Sequence, residues 1–170
     1  MKKEVFDVCD ERDEIIGQKT REEVHRLGLR HRAVHVLIFN GRGEVFLQKR
    51  SLQKDCFPGK WDSSASGHLD RGEDYDACAV RELREELGFE APSPPQRLFK
   101  IDACPQTGWE FVWIYVCQAE GPFTLQAEEI ERGEWFAADE ITRWLQERPD
   151  DFAGAVPLIW ARLPEVRKQE

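Results

Sequence analysis

The sequence predicts an α/β domain built around a mixed β-sheet. Segments of strand-like composition lie on both sides of one strongly helical stretch, and their lengths are mixed. A chain of 170 residues is one domain on length alone and is large enough to bury a real core. The domain is expected to span 1–170. Within it, 1–30 form a hairpin and a basic segment, 31–148 the core and 149–170 a C-terminal helix.

The elements follow in order. EVFDVCD and EIIGQKT flank the turn-like ERD, which predicts an N-terminal hairpin. REEVHRLGLRHR, from Arg21, then gathers arginines and histidines into the basic segment. AVHVLIFN and EVFLQKR read as strands around the turn GRG, and KDCFPGKW as a loop broken by Pro58 and Gly59. WDSSASG is expected to be one strand leading into GHLDRGEDYDACAVRELREELGF. From Asp74 to Leu87 the period becomes helical, with Ala77, Val80, Leu83 and Leu87 as the apolar stripe. Asp74 and Asp76 suit its N-terminal turn, and Gly88 stops it. APSPPQ is a loop, RLFKIDACP, GWEFVWIYVCQA and ERGEWFA are strands, and DEITRWLQER is a short helix starting near Asp139. The tail VPLIWARLPEVRKQE reads as a last helix entered near Pro157.

Composition narrows the function. The chain is 41% hydrophobic and 34% charged, as an ordinary globular protein is. A net charge of -9 disfavours a nucleic-acid duplex or an anionic membrane as partner. No apolar run approaches the roughly twenty residues a bilayer span needs, and the N-terminus lacks the apolar region of a signal peptide. The five cysteines are scattered, without metal-binding or disulfide-framework spacing. A cytoplasmic location is the expectation.

One feature of the helix demands a reason. Glu82, Glu85 and Glu86 stand at i, i+3 and i+4, where like charges repel by a few tenths of a kcal/mol per pair. They fall largely off the apolar stripe and form an acidic face. That face is either simply solvated or built around a positive group that is not protein.

The segment from Gly67 to Phe89 resembles the Nudix box, G-x5-E-x7-R-E-U-x-E-E-x-G-U, where U is a bulky apolar residue. It matches at nine defined positions over twenty-three residues: Gly67, Glu73, Arg81, Glu82, Leu83, Glu85, Glu86, Gly88 and Phe89. HRAVHVLIF, LQKRS, FPGKWD and GEWF are also similar to Nudix strands and loops, so the likeness runs from about His31 to Leu145. The resemblance implies a Nudix fold: a mixed sheet packed between helices, with a catalytic loop-helix-loop. It implies a pyrophosphatase that uses Mg2+, with Mn2+ as a substitute, to cleave a phosphoanhydride in a nucleoside diphosphate derivative or similar organic diphosphate. Glu82 and Glu86 would be the principal ligands, and Glu85 a ligand or the group that orients or deprotonates water. Gly67 would lend its carbonyl to the metal, and Arg81 would pair with Glu73. Nudix enzymes often add a glutamate from a facing loop; Glu128 and Glu129 are the candidates here, Glu129 favoured. Magnesium suits such a face, because it takes oxygen ligands from carboxylates, waters and substrate phosphates.

HRAVHVLIFNGRGEVFLQKRS and FPGKWDSSASGH are also similar to the type 1 isopentenyl-diphosphate isomerases, one branch of the same superfamily. That branch carries a catalytic cysteine before its Gly-His, where this chain has Ser66, a far weaker acid than a thiol of pKa about 8.5. The branch also has a degraded REUxEE segment, which is complete here. Isomerisation is therefore the alternative reading, and a non-catalytic ligand-binding module is another. His31 and His68 match histidine metal ligands of that branch, His25 lies near a third, and Glu110 near a catalytic glutamate. They form a candidate second metal site, suited to transition metals. The competing reading places His25 and His31 in a phosphate-facing basic segment with Arg21, Arg26, Arg30 and Arg32, and Arg50 is a further phosphate-binding candidate. His35 reads as structural. Trp61, Trp109, Trp113, Trp135 and Phe57 either pack the core or supply a base-stacking wall. The resemblance bears on reaction type more than on substrate or oligomeric state.

Overall fold

The computed structural model describes residues 3–167. Its organising element is β3 (His31–Phe39), which is apolar on both faces. Val34, Val36 and Ile38 enter one buried cluster, while Ala33, Leu37 and Phe39 enter another. A strand with two apolar faces must be covered on both sides. On one side lies α2 (Tyr75–Leu87), which buries Cys78, Ala79, Leu83 and Leu87 against the first cluster. On the other, α3 (Ala138–Glu147) and α4 (Val156–Arg167) contribute Ile141, Val156 and Ile159 to the second.

The sheet is mixed because β3 meets unlike neighbours. It runs parallel to β8 (Glu110–Gln118) along its whole length. Its other edge is shared. β6 (Ala65–His68) pairs antiparallel with Ala33–Val36, while β4 (Val45–Arg50) pairs only at Ile38 and Phe39. Beyond that point β4 turns away to pair with β5 (Trp61–Asp62) and β9 (Ile130–Phe136). Ser64 stitches the fork: its hydroxyl accepts the Ile38 N–H at 2.8 Å and donates to the Phe46 carbonyl. β7 (Gln96–Ile101) completes the far edge of a seven-stranded sheet, antiparallel to β8.

WDSSASG is therefore two strands. Ser63 and Ser64 carry the chain from one branch of the fork to the other, so a single strand expected from composition is divided. The helix keeps its expected ends but shifts its apolar face. Ala77 is exposed and Val80 half-buried, and Tyr75, Cys78 and Ala79 join Leu83 and Leu87 against the sheet. Asp74 caps it by accepting the Ala77 N–H at 2.8 Å, and Gly88, at φ 59°, ends it in the left-handed conformation.

The N-terminal hairpin, β1 (Val5–Cys9) with β2 (Ile15–Thr20), forms its own two-stranded sheet. The basic segment after it opens as a helix, α1 (Arg21–Leu27), held by a Thr20–Glu23 capping box. Asp13, at the hairpin tip, fastens the hairpin to the core. Its carboxylate accepts from Arg32 Nε (2.7 Å), Tyr75 Oη (2.7 Å) and Lys100 Nζ (2.6 Å). Residues 1–2 and 168–170 of the expected domain lie outside the described residues.

Candidate functional site

The loop-helix-loop is organised by Arg81. Its guanidinium grips Glu73 with two bonds, at 2.8 and 2.9 Å, and reaches the His68 carbonyl at 3.0 Å. It also meets Glu82 at 2.9 Å and Glu85 at 3.0 Å. The loop before α2 is thereby locked to β6 and to the acidic face. Gly67 lies so close to Glu82 that a Cβ there would sit 2.0 Å from Glu82 Oε1. Only glycine permits this approach of strand and helix.

The acidic face is not the solvated surface that the helical wheel suggests. Glu82 and Glu86 are buried, at 8% and 6% exposure, and only the Glu85 side chain, at 58%, stands at the lip. The apolar stripe and the acidic face overlap because β6 and the sheet fork close over the upper turn of α2. Glu86 Oε1 accepts the Ser66 N–H at 2.7 Å and lies 3.4 Å from Gln48 Nε2. No lysine, arginine or histidine pairs with Glu86 among the described residues. Burial pushes the Glu82 carboxyl up to about 8, against the pull of Arg81, with Glu85 adding to the rise. Burial and then the Glu82 charge hold Glu86 well above the carboxylate range. Two buried carboxylates destabilised as anions fit a divalent cation held by hard oxygen donors.

A second cluster stands across β6. Each member arrives by a different element: His25 on α1, His31 at the start of β3, His68 at the end of β6 and Glu110 at the start of β8. Register does the assembly, since His31 lies opposite Glu110 and Ala33 opposite His68. One ligand nitrogen from each histidine lies within 4.8 Å of the others. His31 Nδ1 lies 2.8 Å from the Leu29 carbonyl, so it carries the proton and leaves a lone pair on Nε2. That buried Nε2 has no hydrogen-bond partner, and its separation of 3.6 Å from Glu110 Oε1 is too long for one. His68 Nε2 sits 2.8 Å from the same oxygen. Burial, with His68, His31 and Arg21 adding, brings His25 down to about 4, so its imidazole is neutral at pH 7. Burial would raise Glu110, but His68 and His31 outweigh it and hold the carboxylate ionised. Three imidazoles, one with a ring nitrogen that has no hydrogen-bond partner, and a carboxylate form a donor set for a transition metal. Phe6 of the hairpin stacks on His31, with centroids 5.8 Å apart, and closes the cluster from below.

Both clusters open into one cleft of about 660 Å³. Glu129 lines it and pairs with Lys54; Glu128 is not among the lining residues. Arg50 also lines it, bonded at 3.0 Å to Asp62. Three other phosphate-binding candidates, Arg26, Arg30 and Arg32, do not line the cleft, and Arg26 is exposed. Arg32 is spent on Asp13, and Arg30 lies over the Trp109 ring, 5.7 Å from its centroid. Arg21 does line it, tied at 3.3 Å to Glu4 and 3.0 Å to Asp55. His35, read as structural, also faces the cleft, with Nδ1 2.7 Å from Ser63 Oγ. Asp62 is the residue sequence reasoning missed. It enters through β4–β5 pairing, opposite Gln48, and no spacing along the chain signals that. Of the five aromatic candidates, Trp61, Trp113 and Trp135 pack into the hydrophobic clusters, and only Phe57 and Trp109 line the cleft.

The chain and its fold are similar to those of known proteins. Residues 29–157 match the NUDIX domain family. An uncharacterized Nudix hydrolase of Yersinia pestis is 35% identical over 164 residues, covering 94% of this chain and 87% of the relative. The uncharacterized Nudix hydrolase YfcD of Escherichia coli (strain K12) is 32% identical over 94% of this chain and 88% of its own length. Among solved structures, DR0079 from Deinococcus radiodurans superposes with a TM-score of 0.83 at 26% identity, covering 94% of this chain and 98% of that one. A matched family over most of the chain, relatives along its length and the fold itself agree: the chain belongs to the Nudix hydrolase family.

Proposed function

We propose that this protein is a divalent-metal-dependent hydrolase that splits the phosphoanhydride of a nucleoside diphosphate derivative or a similar organic diphosphate. The observation that carries the reading is the Glu82–Glu86 pair, buried beside Gly67 with no protein cation on Glu86. Magnesium, or manganese, held there would neutralise phosphate oxygens and make a bound water acidic enough to attack phosphorus. Glu82 and Glu86 serve as ligands with the Gly67 carbonyl. Glu85 and Glu129, both on the cleft and both partly exposed, orient the water or take its proton. Arg81 keeps Glu73, Glu82 and the loop in register, and Arg50 offers charge to a phosphate. His25, His31, His68 and Glu110 hold a second, softer cation, a role favoured by the orphaned His31 Nε2.

Likeness to the isopentenyl-diphosphate isomerases does not carry their reaction here. Ser66 gives its N–H to Glu86, and its hydroxyl lies 3.4 Å from Asp62 Oδ2. A hydroxyl so placed is no substitute for a thiol acid. A binding module would have no use for a complete water-activating set. The test is a screen of nucleoside diphosphate derivatives and simple organic diphosphates in magnesium or manganese, reading the phosphate species released. Metal-dependent release that disappears with chelator is expected. Deuterium exchange from heavy water into isopentenyl diphosphate, without hydrolysis of any substrate, would overturn the proposal.

A further inference from the structure

The cleft does not end at the carboxylates of α2. Side chains alternate along β3, so Val34 and Val36 face α2, while Ala33, His35 and Leu37 face α3 and α4. Ala33 and His35 nonetheless line the same cleft as Glu82 and Glu86. The cleft therefore reaches past the sheet fork to a second end, on the side away from α2. Small residues wall that end: Ala33 and Ala153 share one buried cluster, and Gly154 and Ala155 follow before α4 begins. The wall is fixed in place, since the Ala153 N–H is bonded to the Trp61 carbonyl at 2.8 Å.

The polar groups beside His35 are spent on one another. Asp62 accepts the Ser63 N–H at 2.8 Å and Arg50 at 3.0 Å, and Arg50 also reaches the Cys56 carbonyl at 3.0 Å. The Ser63 hydroxyl lies 2.7 Å from His35 Nδ1 and 3.2 Å from the Ala65 carbonyl. A carbonyl can only accept, so Ser63 donates to it and accepts from His35 Nδ1, which carries the proton. Asp62 Oδ1, 3.5 Å from the same nitrogen, favours that tautomer. A lone pair is left on Nε2. This nitrogen has no partner among the described residues, and unlike His31 Nε2 it is not sealed off in the interior. Folding thus aims one fixed acceptor into the far end of the cleft.

We propose that His35 is a specificity-determining residue, whose Nε2 accepts a hydrogen bond from a hydroxyl on the organic end of the diphosphate. Sugar-like ends are thereby favoured over apolar ones such as prenyl chains. This deepens the hydrolase reading and rests on it for the placing of the diphosphate at α2. Ser66 joins the two ends of the cleft: it lies opposite His35 in the β3–β6 register and gives its N–H to Glu86 at 2.7 Å. One strand therefore separates the acceptor from a candidate metal ligand. A site built to receive a hydroxyl rejects the analogue without one, because the waiting atom loses its water and gains no partner.

The test measures binding of probes that are not hydrolysed, so that it stands apart from turnover. Calorimetric titration in magnesium compares two esters of methylenediphosphonate. One carries ribose through its 5-hydroxyl; the other carries a cyclopentylmethyl group, with a ring of the same size and no hydroxyls. Wild type should bind the ribosyl probe about tenfold more tightly, the scale of one hydrogen bond. His35→Asn keeps an amide where Nδ1 meets Ser63 but removes Nε2, and should level the probes by weakening the ribosyl one alone. His35→Gln, which can bring an amide oxygen to the place of Nε2, should recover part of the preference. Equal binding of the two probes by wild type would overturn the proposal, and that comparison holds whether or not the variants fold. A His35→Asn protein that weakens both probes by the same factor would mark His35 as merely structural and overturn it too. Failure of the hydrolase reading would show separately, as absence of turnover with any diphosphate.

Discussion

Asp13 and Glu86 are carboxylates shielded from solvent in different parts of the molecule, the second more fully than the first. The Asp13 side chain is 8% exposed at the tip of the hairpin, and Glu86 is 6% exposed on α2. Around Asp13 the protein supplies Arg32, Lys100 and the Tyr75 hydroxyl, whose hydrogen bonds overcome the effect of burial and bring its pKa below the ordinary range. Around Glu86 it supplies a backbone N–H, an amide and a second carboxylate, and the pKa rises. Burial pushes both carboxyls upward, and their partners decide the outcome. What distinguishes a structural anion from a site is whether folding provides the countercharge or leaves it to a ligand.

The largest effects should come from breaking the site side of this contrast. Glu86→Gln keeps size and an acceptor for the Ser66 N–H but removes the charge that would hold a cation. It should lower hydrolysis of the best substrate about a thousandfold in saturating metal, since metal stabilisation of the transition state is worth several kcal/mol. Glu85→Gln should also abolish most activity, with the far-ultraviolet circular dichroism of both variants unchanged. Wild-type rates in both would remove α2 from the account.

Asp13→Ala strikes the structural side and should cost about 3–5 kcal/mol in denaturant unfolding, because two cations lose one shared anion. The sign of its pH dependence follows from the lowered pKa. Asp13 contributes stability above the unfolded value of 3.8 and loses it as pH falls through the folded value. Asp13→Asn should therefore narrow its deficit relative to wild type as pH drops below about 4. A constant deficit across that window would mean that the carboxylate charge is not what fastens the hairpin.

Metal should stabilise the site side alone. At a hundredfold excess over its dissociation constant the gain is about 2.7 kcal/mol, or roughly 5–10 °C in a chain of this size. An Asp13 variant should show the same increment as wild type, from a lower starting point. The smallest effect is expected at Ser66, which lends its backbone N–H to Glu86. Ser66→Cys should leave diphosphate cleavage within about threefold of wild type, because the backbone N–H that holds Glu86 is unchanged, and should not introduce proton exchange into isopentenyl diphosphate.

Much of this was legible along the chain, and the reasons for the rest are physical. The Asp74 cap and Gly88 stop of α2 are local signals and the structure follows them, but of the expected stripe only Leu83 and Leu87 are buried. Ala77 is exposed, Val80 is half-buried, and Tyr75, Cys78 and Ala79 pack in their place. The burial of Glu82 and Glu86 was not legible, because a helical wheel shows which residues share a face and not that a forked sheet closes over it. WDSSASG read as one strand for the same reason: the fork depends on where β4 leaves β3, a long-range event. Along the chain His25 lies only near the place of a third histidine ligand in the isomerase branch, yet it joins His31 and His68 in space. On a helix that reaches across the hairpin its position is set by α1 docking, so spacing along the chain is a poor guide. Arg30 and Arg32 shared a basic segment with His31, yet alternation along β3 and the pull of Asp13 send Arg32 away from the cleft.

The most direct measurement of the central claim is thermal unfolding of wild type and Glu86→Gln side by side, each in chelator and in saturating magnesium or manganese. Relieved of a buried charge that nothing in the protein offsets, Glu86→Gln should melt above wild type in chelator. Metal should raise the wild-type midpoint and leave the variant nearly unmoved. A variant that melts below wild type in chelator and still gains the full metal increment would contradict the claim that Glu86 is buried to receive a cation.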